Sequence, residues 1–81
     1  MYLYPNPAGN EPIKVSIDVP DGQLATIFIY DLQGKLVMKS EGKVEYTMNP
    51  LEIDVTGFSA GLYIVKVETE GVLKTIRLVK L

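Results

Sequence analysis

Ile13, Val15, Ile17 and Val19 stand on alternate positions with Lys14, Ser16 and Asp18 between them, and no other feature limits the fold of this chain so strongly. A period of two sends successive side chains to opposite faces, so the segment reads as a strand with one dry and one wet side. On a helix the same residues would spread around the whole cylinder. The rhythm returns at Leu51, Ile53 and Val55, separated by Glu52 and Asp54, and again at Ile76 and Leu78, set against Thr75, Arg77 and Val79. Leu24 to Tyr30 is a β-branched and aromatic run, Lys35 to Lys39 a short strand with charged ends, and Val72 to Leu81 a final strand. Leu62 to Thr69 starts with apolar residues on both faces, as a central strand covered on both sides does. Val44 to Met48 is weaker and reads as a short edge strand or an ordered loop.

Between these runs stand Pro20-Asp21-Gly22, Asp31-Leu32-Gln33-Gly34, Asn49-Pro50, Thr56-Gly57, Ala60-Gly61 and Glu70-Gly71, each with residues that suit a turn. Pro20-Asp21-Gly22 predicts a hairpin between the Ile13–Val19 and Leu24–Tyr30 strands, continued into a meander by Asp31–Gly34. Gly61 is expected to permit a tight turn. Six or seven short strands with regular turn spacing, and no stretch of 3.6-residue period, predict an all-β sandwich of two antiparallel sheets. At 81 residues the chain is one domain, and a fold this small buries roughly 60–65% of the surface its unfolded form exposes.

The chemistry is restricted by what is missing. There is no histidine and no cysteine, which removes the common general base, the thiolate nucleophile and the usual transition-metal ligands. A nucleophile at Ser16, Ser40 or Ser59 needs a base within reach, for which only lysine could serve, and no glycine-rich phosphate loop follows a strand, so no catalytic residue, cofactor or metal is expected. Glu52 and Asp54 share a strand face, but alternating charge on a strand is ordinarily its solvated side. Asp18, Asp21 and the carbonyls near Gly22 offer a calcium loop in outline, although Asp-Gly is also a common way to write a turn. A formal charge of -2 makes nucleic acid and anionic lipid poor partners. Apolar runs such as Ile27 to Tyr30 fall far short of the roughly 20 residues that cross a bilayer, so no direct membrane insertion is expected. The start of the chain has neither a basic nor an apolar signal region, so any export signal is expected on a longer precursor. Tyr2, Tyr4, Tyr30, Tyr46 and Tyr63 suggest a sugar-stacking platform, as in a carbohydrate-binding or adhesion sandwich; against it, tyrosines in or beside apolar strands are expected to pack in the core.

Five pieces form a more specific pattern: Leu3-Tyr4-Pro5-Asn6-Pro7, Ile29 to Val37, Ile53 to Gly61, Gly61 to Val67, and Lys74 to Lys80. In order and spacing they resemble the type A C-terminal sorting domain of proteins that leave bacteria through the type IX secretion system, the Por secretion system sorting domain family. The resemblance implies a seven-stranded Ig-like sandwich in which residues 1–81 are the C-terminal sorting domain of a larger secreted precursor. It also implies an upstream cargo domain, an outer-membrane translocon that reads the domain, and a sortase-like signal peptidase that usually removes it. The route is the periplasm in transit, then the outer-membrane surface or the medium.

Physical roles attach to the matched positions. Pro5 and Pro7 fix φ and remove two amide donors, so Tyr4-Pro5-Asn6-Pro7 is expected to be an extended, stiff junction or a proline-guarded edge strand. Gly61 and Tyr63 resemble the family's Gly-x-Tyr motif, and their expected work is in folding. Lys74, Arg77 and Lys80 gather positive charge on the last strand of an acidic chain, where recognition is expected; a solvated strand face that discourages aggregation is the alternative.

Overall fold

The computed structural model describes residues 2–18, 22–44 and 50–81. Its strands are β1 (Tyr2–Tyr4), β2 (Ile13–Ser16), β3 (Leu24–Asp31), β4 (Leu36–Lys43), β5 (Leu51–Ile53), β6 (Gly61–Thr69) and β7 (Val72–Lys80). They form two antiparallel sheets, a three-stranded one in the order β1-β2-β5 and a four-stranded one in the order β4-β3-β6-β7. In the usual lettering of Ig-like sandwiches this is A-B-E against D-C-F-G, a constant-type arrangement with the fourth strand moved to the second sheet.

The alternating apolar residues meet between the sheets. Ile13 and Val15 from β2 join Ile27 and Ile29 from β3, Val65 from β6 and Leu78 from β7, each at most 1% exposed. Burying a side chain of this size stabilises the fold by about 1.5–3 kcal/mol relative to leaving it in water. Burial outlasts the ladders: Ile17 and Val55 lie beyond the ends of β2 and β5, yet both are buried.

The hairpin expected between the second and third strands does not form. β2 and β3 lie in different sheets, because their apolar faces form opposite walls of one core. Val19, Pro20 and Asp21 lie outside the described residues, as do positions 45–48 of the weak Val44–Met48 segment and Asn49 of the Asn49-Pro50 turn. After the crossover the chain is tied to the far end of the β3–β4 hairpin, with Gly22 N donating to Val44 O (2.7 Å) and Val44 N to Gln23 O (2.7 Å). At the near end, one Asp31 carboxylate oxygen accepts from the amides of Gln33 and Lys35, both at 2.9 Å, which fixes the Asp31–Gly34 turn.

Two expectations about length also change. β4 runs on to Lys43, past the charged end assigned at Lys39, because it is held in register by β3, from Leu24 opposite Lys43 to Tyr30 opposite Leu36. No β4 residue is fully buried, so the strand owes its length to its neighbour. Gly61 opens β6 opposite Lys80, with φ at 151°; it is the first residue of a strand, in a conformation L side chains rarely adopt.

Candidate recognition site

Three of the distant sequence pieces converge at one corner, around the second half of β7. The leading segment reaches it after β1 ends at Tyr4. The Tyr4–Pro5 and Asn6–Pro7 bonds are cis, and residues 5–7 bend where an extended junction was expected. Asn6 holds this bend against β7: its Nδ2 donates to Arg77 O (2.7 Å), and its Oδ1 accepts from Val79 N (3.0 Å). One side-chain amide therefore presents the donor and acceptor that a neighbouring strand would present with its backbone. Ala8, fully buried, completes the pairing by donating to Val79 O (2.7 Å) and accepting from Leu81 N (2.8 Å).

The Gly-x-Tyr piece lies on the other side of β7. Gly61 pairs with Lys80, and Tyr63 with Leu78. The Tyr63 ring is buried against Phe58, centroids 5.0 Å apart, and its hydroxyl donates to Ser59 O at 2.7 Å. This bond from the start of the sixth strand to the backbone just upstream has the form of the tyrosine corner of Ig-like domains. Tyr63 is thus a folding residue.

The three cations do not form one exposed patch. Strand alternation turns Lys80 to the same side as Ile76 and Leu78; it is only 5% exposed, and its Nζ donates to the Leu81 main-chain oxygen at 3.2 Å. Its aliphatic stem closes the end of the core while the ammonium reaches the rim. Lys74 and Arg77 are exposed and point to opposite faces of β7.

The tyrosines divide against expectation. Tyr63 is in the core, but Tyr2 and Tyr4 are exposed and stack on the outer face of β1, centroids 5.6 Å apart. Leu3 between them takes the inward position. Tyr30 is half-buried and stacks with Phe28 on the outer face of the four-stranded sheet, where Lys39 and Lys66 place Nζ 5.7 and 5.2 Å from the Phe28 centroid. Tyr46 lies outside the described residues. Asp54 accepts from Thr56 Oγ1 (2.6 Å) and Thr56 N (3.0 Å), and these bonds, the hydroxyl first, hold its carboxyl below the ordinary value of 3.8. It is a turn residue rather than half of a reactive carboxylate pair. Among the described residues no three acidic, histidine or cysteine side chains cluster to hold a metal ion.

The family model described as a secretion system C-terminal sorting domain matches residues 2–80. The chain belongs to this family. The match takes in every strand from β1 to β7, so the sorting domain and the sandwich are the same unit. No curated protein and no solved structure matches the chain. The sorting domain is a type IX secretion signal, and its family places it on a secreted protein of the outer-membrane surface or the extracellular space. Asn6, which the resemblance singled out, has its partners 71 and 73 residues away; Ala8 and Leu81, which complete the corner, had no sequence signal, since small and terminal residues carry none.

Proposed function

We propose that this sorting domain is the address of a larger precursor. It follows an upstream cargo domain, is read from the periplasm by the outer-membrane translocon of the type IX system, and is then removed by a sortase-like signal peptidase as the cargo reaches the surface or the medium. In this reading the domain contributes recognition and no catalysis. The observation that carries it is the family match over residues 2–80, nearly the whole chain. The exposed Lys74 and Arg77 on β7 support it further, as cations on an accessible strand of a chain with formal charge -2. The experiment is a fusion of residues 1–81 behind a periplasmic reporter in a host with this secretion system. The reporter is expected outside the cell; retention in the periplasm with the domain folded contradicts the proposal.

A second reading has one observation in its favour. The stacked, exposed Tyr2 and Tyr4 offer an aromatic surface of the kind that sugar rings pack against, which suits a carbohydrate-binding or adhesion module of a secreted hydrolase. Glycan-array binding that disappears in a Tyr2→Ala, Tyr4→Ala double variant would favour it.

A further inference from the structure

β7 is paired on one side only by β6, and its other edge divides into two halves. In a β-strand the amide and carbonyl of one residue point to the same side, and successive residues alternate. The bonds from Asn6 and Ala8 reach Arg77 O, Val79 N, Val79 O and Leu81 N, which identifies the odd-numbered residues as those facing the outer edge. The same alternation turns the amides and carbonyls of Leu73 and Thr75, and the amide of Arg77, outwards. Among the described residues none of these five groups has a partner. The leading segment thus acts as a stop: it covers the edge from Arg77 to Leu81 and leaves the stretch from Leu73 to Arg77 as an open ladder.

We propose that this open stretch takes an extended, acidic segment of a partner protein as an added strand. The inference rests on the sorting reading, in which that partner belongs to the secretion machinery. Main-chain pairing to a free edge supplies affinity, and the flanking side chains supply selectivity. Those side chains are Lys74 on one face and Arg77 on the other, so an incoming strand with acidic residues meets a cation on each face. The same charges oppose a second copy of this chain, because β7 against β7 would bring like charges together.

The test uses proline on the free edge. An outward amide in an edge strand can be replaced by proline without breaking the ladder to the inner neighbour, whereas a strand seeking that amide loses its donor and meets the ring. Thr75→Pro and Leu73→Pro are made separately in the reporter fusion of residues 1–81, with Thr75→Val as the control that keeps the amide. Each fusion is checked for cooperative melting, and secreted reporter is measured. The expected result is that both proline variants fold while the secreted fraction falls about tenfold or more, the effect of losing one or two main-chain hydrogen bonds; Thr75→Val stays at the parental level. Folded proline variants secreted like the parent overturn the added strand and leave the sorting reading intact. Unfolding of both variants overturns it as well, because those amides would then belong to the ladder. A folded parental fusion that is not secreted removes the sorting reading, and the added strand with it.

Discussion

At Gly61 a single φ carries the argument. Nothing lies within 4 Å of where a Cβ would be, so Gly61→Ala tests backbone conformation without a steric clash. The expected loss is about 1–3 kcal/mol, read from the denaturant midpoint at unchanged slope. Asp54 gives a second test. Its carboxyl is held below 3.8 by Thr56, so the ionised form is the one favoured by folding. The sign follows: the stabilisation is fully present above pH 3.8 and is lost as pH falls through the lower folded-state value. In Thr56→Val the hydroxyl bond disappears and the backbone bond stays. The Asp54 titration, followed by NMR, is expected to move up towards 3.8, and the stability gap between parent and variant to narrow in acid. Residue type foretold the first site, since Gly permits unusual φ; Asp54 was read as the wet side of a strand, but β5 ends at Ile53 and Asp54 caps the turn at Thr56. Residue type did not reveal that Lys80 is buried: strand alternation puts Lys80 on the face of Ile76 and Leu78, but a lysine is ordinarily solvated.

Among the elements, those with their own alternation were the legible ones. β2, β5 and β7 show it, as does the second half of β6, and all four form there, although β2 and β5 end at Ser16 and Ile53, before Ile17 and Val55; β3 was legible from its β-branched and aromatic run. β4 beyond Lys39 and the bend after Tyr4 were not legible, because each is made by a partner distant in sequence: β3 in one case, β7 in the other. The Asn6 latch joins residues 71 and 73 positions apart, a separation that no local pattern encodes. Asn6→Ala removes the acceptor of Val79 N and the donor to Arg77 O. The expected cost is about 1 kcal/mol, with faster hydrogen exchange at Val79 than at the central β6 amides of Val65 and Val67. Asn6→Asp keeps the acceptor and is expected to restore protection at Val79. Equal protection in all three chains would show that the latch does not hold the edge.

For the whole molecule, the sequence foretold two sheets but not their order: Pro20-Asp21-Gly22 read as joining β2 and β3 as neighbours, whereas the two strands are opposite walls of the core. Loop closure and core packing decide between these, and both depend on contacts far apart in sequence. The resulting order brings the leading segment, the start of β6 and the end of β7 to one corner. If the proposed reading takes place at this corner, the signal belongs to the folded domain and not to the last strand as a linear tag. Three reporters decide the matter in a host with the type IX system: one fused to residues 1–81, one fused to residues 72–81 alone, and one unfused. The account predicts that only the first leaves the cell. Retention of the first in the periplasm with its sandwich intact, or export of the second, would contradict it.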